Sequence, residues 1–204
     1  MRIIGGTAGG RSLKVPKGMG VRPTPDRVRQ AIFNSLGDLV NGARVLELFG
    51  GSGALSLECL SRGARSALCI ELSAKHAAFI RSNCRDAGLS TARFTVRVKD
   101  VFSAMAQLSK DRVQFDLVMA DPPFGEKNTD GRSKSFSQRV LDDPNLPPLM
   151  AEGGLLVLGH AKRDSVEIPP TWDERKVLKH GDSIFRMLAV AMPAREQPLL
   201  ESSA

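Results

Sequence analysis

Val45-Leu46-Glu47-Leu48-Phe49-Gly50-Gly51-Ser52-Gly53-Ala54 reads as a buried strand running directly into a glycine-rich turn and then a helix. Apolar residues on successive positions, broken only by Glu47, suit a strand covered on both faces, as in a parallel sheet. Working outward, apolar runs recur at 67–70, 94–98, 115–120 and 155–158. The segments between them, 54–61, 74–87, 102–108 and 136–141, have helix-forming composition. Five strands alternating with helices predict a parallel sheet with helices on both faces. The alternation stops near the end. Residues 172–178 and 184–192 are strand-like and joined by Lys179-His180-Gly181-Asp182 with no helix between them. A terminal hairpin there places one antiparallel strand in the sheet, giving an α/β fold of seven strands, mostly parallel.

The 204 residues suit one domain with a small appendage. Apolar residues make up 42% and charged residues 25%, which argues against a disordered chain. The longest uncharged stretch, 48–57, is too short to span a bilayer, and the amino terminus has no apolar leader, so export is not expected. Three cysteines, Cys59, Cys69 and Cys84, without C-x-x-C spacing fit reduced, buried thiols and argue against a zinc site.

The net charge of +7 is concentrated at one end. Residues 1–30 carry Arg2, Arg11, Lys14, Lys17, Arg22, Arg27 and Arg29 against Asp26 alone, leaving 22 basic and 21 acidic side chains for the rest. A basic arm on a near-neutral body points to a polyanionic partner such as nucleic acid. Within the arm, residues 2–4 and 11–15 flank Gly-Gly-Thr-Ala-Gly-Gly and read as a hairpin. Thr24-Pro25 reads as a helix start, with Thr24 as N-cap. Val28, Ala31, Ile32, Leu36 and Leu39 form its apolar face, which leaves Arg22, Arg27 and Arg29 to face outward.

In an open α/β sheet, ligands bind beyond the carboxyl ends of the strands, near the point where strand order reverses. The residues just past each run are therefore the candidate site. After the first run, the glycines allow a sharp turn and close approach by a ligand. The dinucleotide fingerprint G-x-G-x-x-G is not completed, because Ser56 stands where the third glycine belongs. Glu47 suits a cationic or hydroxyl-bearing ligand better than a pyrophosphate. Glu71 ends the second run and can accept both hydroxyls of a ribose; the competing role is to cap the next helix, which Ser73 can do instead. Asp100, after the third run, can accept from an adenine amine, cap the helix that follows, or both. The fourth run ends in Asp121-Pro122-Pro123-Phe124. Two prolines fix the backbone and remove two donors, so an acid, rigid carbonyls and an aromatic face are set for a planar base bearing an amino group.

Together these residues resemble the motifs of class I methyltransferases that use S-adenosylmethionine, in which an Asp/Asn-Pro-Pro-aromatic sequence marks methylation of an exocyclic amine. More closely, Arg2-Ile3-Ile4-Gly5-Gly6, Arg22-Pro23-Thr24-Pro25-Asp26-Arg27-Val28-Arg29 and Gly51-Ser52-Gly53-Ala54-Leu55-Ser56-Leu57-Glu58 are similar to the RsmD family. Those are bacterial guanine-N2 methyltransferases of small-subunit (16S) ribosomal RNA, and the likeness extends to Met192.

The resemblance implies a Rossmann-like class I methyltransferase fold in residues 41–193, behind an RNA-contacting hairpin and helix in 1–40 and ahead of a flexible tail in 194–204. It implies catalysis at Asp121, Pro122, Pro123 and Phe124. The cofactor contacts it implies are Glu47, Phe49, Gly50, Gly51, Gly53, Ala54, Glu71, Leu72, Asp100 and Val101. RNA contacts fall on Arg11, Arg22, Arg27, Arg29, Lys127 and Arg132. The implied protein is a cytoplasmic monomer using S-adenosylmethionine, without metal or membrane, whose partner is ribosomal RNA, naked or in an assembled small-subunit particle. Asp121 and the Pro122 carbonyl would hold the two amine protons, Phe124 would stack on the base, and the basic arm would hold phosphates. His76 is then a solvated helix residue and Trp172 a core residue.

Three features depart from the family pattern. Residues 125–139 make a longer polar segment, Gly159-His160 replaces a glutamate, and Phe185 stands where tyrosine is common. The alternatives are an adenine-N6 or cytosine-N4 nucleic-acid methyltransferase, a glutamine methyltransferase acting on protein, and a non-catalytic RNA-binding module. The chain is short for a DNA-recognition domain, Asp121 and Phe124 differ from the Asn-Pro-Pro-Tyr of the protein enzymes, and the retained Glu47, Glu71 and Asp121 argue against a degenerate module.

Overall fold

A computed structural model describes residues 1–15, 24–123 and 132–191. Strands β1 (Arg44–Leu48), β2 (Ser66–Glu71), β3 (Phe94–Val98), β4 (Phe115–Ala120), β5 (Met150–Ala161), β6 (Trp172–His180) and β7 (Ser183–Val190) form one sheet in the order β3-β2-β1-β4-β5-β7-β6. Neighbours among β1–β5 are parallel, and β7 runs antiparallel to both β5 and β6. The terminal hairpin expected from the sequence is present, with its second strand inserted between the first and the rest of the sheet. Strand order reverses between β1 and β4, so the carboxyl ends of those two strands flank the crevice where such folds bind ligands.

Helices α1 (Asp26–Leu36), α2 (Ala54–Ser61), α3 (Ala74–Asp86), α4 (Val101–Lys110) and α5 (Phe136–Asp142) cover both faces. Side chains alternate across the sheet with the period of two that a strand imposes. Val45, Leu117, Met119 and Val157 join Ile32, Phe33, Leu57 and Ile80 on one face. Leu46, Leu48, Val118 and Leu156 join Met105, Leu108 and Val140 on the other. Each such side chain contributes about 1.5–3 kcal/mol by leaving water. Trp172 is in this core, its indole N–H donating to the Leu141 carbonyl at 3.2 Å. All three cysteines are buried free thiols, and burial pushes each thiol's pKa up, which leaves them unreactive.

The amino-terminal segment departs from its sequence reading in four respects. The hairpin has no regular strands; it carries the isolated bridge Arg2↔Ser12, with Ile3 N–H donating to the Arg11 carbonyl at 2.9 Å, Gly10 N–H to the Ile3 carbonyl at 2.9 Å and Leu13 N–H to the Met1 carbonyl at 2.8 Å. Its runs are too short to extend a ladder, and Ile3 and Leu13 fix it by entering the core. Thr24 is not a cap: α1 begins at Asp26 with Pro25 in the N-cap position and no side-chain bond. Gly37, at φ 52°, ends α1, so Leu39 lies on a 3₁₀ turn beyond the apolar face and is 56% exposed.

Arg29, fourthly, does not face outward. It is fully buried (0% exposed). Its Nη2 donates to the Arg2 carbonyl at 2.5 Å and to Asp26 Oδ1 at 2.8 Å, and Nη1 lies 3.7 Å from Glu58 Oε2. Glu58, on α2, is equally buried and accepts from the N–H groups of Ile4 and Gly5 at 2.7 and 2.9 Å and from Arg62 Nε at 2.7 Å. A guanidinium leaves water only when it is matched by charge and hydrogen bonds. Nη2 has its hydrogen bonds and Nη1 the Glu58 charge, although Nε and Nη1 make no hydrogen bond among the described residues, so Arg29 fastens the hairpin to the body and has no surface to offer a phosphate.

Candidate active site

Each strand delivers its candidate residue to the carboxyl edge of the sheet. At the end of β1, Phe49 takes a left-handed φ of 62°, uncommon for an aromatic residue, and Gly53 (φ 75°) is the N-cap of α2. The glycines serve the protein's own packing. A Cβ on Gly50 would collide with Cys69 Sγ, and one on Gly53 would lie 2.6 Å from Ile80 Cγ2.

Glu47 is almost wholly buried beneath the glycine turn. It shares a face with Val45, is 2% exposed, and accepts from the Ser56 N–H at 3.1 Å. Burial pushes its pKa up to about 7, against the hydrogen bonds from Ser56. Its role is to tie β1 to the first turn of α2 beneath the glycine loop. Ala54 and Val101 are likewise in the core.

Glu71 is the hinge of the second strand end. Oε2 accepts from Gly51 N–H at 2.8 Å and Oε1 from Ser73 N–H at 2.8 Å. Ser73 caps α3 through its own side chain, accepting from His76 N–H. The competing helix-cap role for Glu71 is thus filled by Ser73. His76, expected in solvent, is instead half-buried with Nδ1 3.7 Å from Glu71 Oε1. Leu72, beside it, is 69% exposed. Asp100, which is exposed, N-caps α4 through Oδ1 by accepting from Ser103 N–H at 2.9 Å.

Asp121 follows β4, at the reversal of strand order. Burial pushes its pKa up to about 6, opposed by a hydrogen bond from Thr24. The Thr24 hydroxyl donates to Oδ2. Oδ1 lies in a notch opened by Gly159 on β5, where a Cβ would sit 2.5 Å from it, with the Phe185 ring of β7 lining the same notch. Pro122 is buried and Pro123 exposed. Phe124, Lys127 and Arg22 lie outside the described residues.

Sequence reasoning named Phe49 but missed Phe102, Phe136 and Arg139, which gather beside it. The rings of Phe49 and Phe136 are 5.6 Å apart and those of Phe136 and Phe102 6.4 Å, with the Arg139 guanidinium 4.1 Å above Phe102. Nothing in the local pattern of these residues, spread over three elements, marks them as neighbours. Thr24 and Gly159 were likewise invisible, because their partner is distant in the chain.

His160 is buried on the opposite side of β5 from Gly159. Its Nδ1–H donates to the Ala161 carbonyl at 2.9 Å and Nε2 accepts from Arg186 Nε at 3.0 Å. Burial lowers its pKa, and the paired hydrogen bonds fix a neutral ring that joins β5 to β7. Of the basic residues, Arg11 and Arg27 are exposed, whereas Arg132 pairs with Asp142 at 2.6 Å. Among the described residues no cluster of His, Cys, Asp and Glu can hold a metal, and no helix is long and apolar enough to cross a membrane.

Comparison with known proteins places this geometry. YlbH of Bacillus subtilis is 33% identical over 171 residues, 84% of this chain and 87% of that protein. Ribosomal RNA small subunit methyltransferase D of Escherichia coli is 40% identical over 124 residues, a match spanning 61% of this chain and 60% of that one. The solved structure of yhhF from Escherichia coli superposes with a TM-score of 0.74 at 29% identity, covering 93% of this chain and 97% of that one. The family model described as conserved hypothetical protein 95 matches residues 1–189. The chain therefore belongs to that family, the RsmD-type methyltransferases whose motifs its strand ends carry.

Proposed function

We propose that this methyltransferase carries the methyl group of S-adenosylmethionine to the exocyclic N2 of a guanine in small-subunit ribosomal RNA. The observation that supports this most is Asp121, a carboxylate held at the strand-order reversal with one oxygen tied by Thr24 and the other in the Gly159 notch. In this reading Oδ1 and the Pro122 carbonyl hold the two amine protons, which orients the nitrogen lone pair toward the donor. S-adenosylmethionine held there would supply an electrophilic methyl group from its sulfonium, leaving as the thioether, and the amine nitrogen that accepts the methyl would give up one proton. Acceptors already in place stabilise the positive charge that grows on nitrogen without reorganising. A carboxyl with a pKa of about 6 is also poised to take the departing proton near neutral pH.

The donor set fits the nucleoside half of the cofactor. Glu71 spends one lone pair of each oxygen on the glycine loop and α3, so each oxygen retains capacity for a ribose hydroxyl. Exposed Leu72 offers an apolar surface to a flat ring, and Asp100 can accept from its amine while capping α4. Glu71→Ala is expected to lower S-adenosylmethionine affinity at least tenfold, because hydrogen bonds to a charged acceptor contribute about 1.5–3 kcal/mol each. Isothermal titration checks this, and an unchanged affinity would leave Glu71 as a loop fastener only.

Arg11 and Arg27, with Arg22, supply the phosphate contacts in this reading; Arg29 is excluded by burial. The Arg11/Arg22/Arg27→Ala triple variant is expected to weaken RNA binding and to flatten its salt dependence. On single strands each neutralised phosphate contributes a slope of about −0.7, so three lost contacts remove roughly two units. An unaltered slope, measured by filter binding across salt concentrations, would make the arm a solubilising leader. The same reading puts the chain in the cytoplasm as a monomer, with ribosomal RNA, naked or in a small-subunit particle, as its partner.

The decisive experiment incubates the protein with isotope-labelled S-adenosylmethionine and either small-subunit rRNA or small-subunit particles from cells lacking the gene, then identifies the methylated nucleoside by mass spectrometry. N2-methylguanosine is the expected product. N6-methyladenosine or N4-methylcytidine would overturn the guanine assignment.

A further inference from the structure

We propose that Thr24 is a positioning residue for methyl transfer: its hydroxyl, delivered by the segment ahead of α1, fixes the Asp121 carboxylate so that Oδ1 faces the substrate amine. The proposal rests on the reading of Asp121 as the amine acceptor and deepens it.

Three observations carry it. Thr24 Oγ1 donates to Asp121 Oδ2 across 97 positions of sequence, so the bond is a tertiary contact and not a local turn. It takes the place of the cap that a threonine in this position ordinarily makes, since α1 begins without any side-chain cap. Oδ1 receives no hydrogen bond from the described residues and lies where Gly159 lacks a Cβ. A carboxylate free to rotate presents its two oxygens interchangeably. One bonded to a hydroxyl at Oδ2 and seated in a notch at Oδ1 presents a single acceptor in a single plane.

Thr24 is itself held. The Pro25 carbonyl next to it accepts from Val28 and Arg29 N–H at 3.0 and 3.1 Å. Asp26, two residues on, is gripped by buried Arg29 at 2.8 Å and by Arg2 at 3.2 Å. The hairpin, the first helix and the reacting carboxylate thus form one connected network. This gives the amino-terminal segment a part in the chemistry beyond any contact with RNA.

The electrostatics around Asp121 make the contact readable by pH. The segment ahead of α1 contributes Thr24, β5 contributes Gly159 and β7 contributes Phe185; none is ionisable. Two influences act on the carboxyl: burial, which raises its pKa, and the Thr24 hydroxyl, which lowers it. Removing the hydroxyl leaves burial unopposed, so the carboxylate form that accepts the amine should be lost at higher pH than in the wild type.

The test compares Thr24→Val, which keeps the shape and removes the donor, with Thr24→Ser, which keeps the donor. The substrates are the same rRNA and particles, and Asp121→Ala is run alongside. For Thr24→Val, kcat should fall about tenfold or more, with S-adenosylmethionine affinity by calorimetry unchanged. The acidic limb of kcat/KM should move to higher pH, and Thr24→Ser should restore both rate and profile. A carbon-13 NMR titration of Asp121 in wild type and Thr24→Val reads the same shift without substrate. Wild-type turnover and an unmoved titration in Thr24→Val, with Asp121→Ala inactive, would overturn the role of Thr24 alone. An active Asp121→Ala variant would overturn the acceptor reading and this proposal together.

Discussion

Asp121→Ala should abolish most methyl transfer while leaving S-adenosylmethionine affinity within several-fold of wild type. The carboxylate sits at the reversal of strand order, and its free oxygen meets no donor from the described residues. Groups preorganised toward developing charge contribute about 2.7–4 kcal/mol to the barrier, a rate factor of roughly 10²–10³. The cofactor contacts proposed above lie at the ends of β2 and β3, so the nucleoside should still bind. Single-turnover rates with saturating RNA, paired with calorimetry, separate the two quantities. Near-normal turnover would remove Asp121 from the chemistry, and a lost cofactor affinity would make it a scaffold residue.

Glu58→Ala is expected to cost about 3–5 kcal/mol of folding stability, as breaking a buried ion pair does. Glu58 has no exposed surface, and it is the shared acceptor of two backbone N–H groups and Arg62, with Arg29 3.7 Å away. Alanine strands all of these donors in a site closed to water. A domain holds only about 5–15 kcal/mol in total, so the loss should be plain in urea denaturation followed by circular dichroism. A change below about 1 kcal/mol would mean that water enters and replaces the carboxylate. The variant also loosens the hairpin, so RNA methylation should fall with stability even under conditions where the sheet remains folded.

The parts of this protein that sequence made legible are those governed by short-range pattern. A continuous apolar run and the glycine turn located β1 and α2, and the same logic found the other strands within a few residues. β5 starts five residues earlier than the apolar run at 155–158 because its pairing with β4 carries a register shift before Leu117. The terminal hairpin followed from the missing helix between two strands. Glu71, Asp100 and Asp121 stand out in the sequence because each lies at or just past a strand end, where topology alone delivers it to the crevice.

What stayed hidden depends on partners far along the chain. Arg29 looks like one more member of a basic run until Glu58 is brought against it by packing of α1 on α2. Glu47 reads as a ligand carboxylate, yet α2 folds over it, and a strand position gives no sign of that. Thr24 satisfies every local rule for an N-cap and still spends its hydroxyl on Asp121. In each case a polar side chain has two physically sound uses, and tertiary structure decides between them.

The insertion of β7 between β5 and β6 has a consequence for how the chain stays out of aggregates. β7 is the apolar member of the hairpin, with Ile184, Phe185, Met187 and Leu188 buried. Left outermost, such a strand would present open hydrogen-bonding groups on an apolar ribbon to any other chain. Instead the outermost row belongs to β6, where Asp173, Glu174, Arg175 and Lys176 are exposed. Charged side chains on an edge act as gatekeepers against strand-to-strand addition. The later strand is thus sheltered by the earlier one, and the tight turn through Gly181 (φ 57°) keeps the two together. Neutralising that charged row would turn a finished sheet into a template.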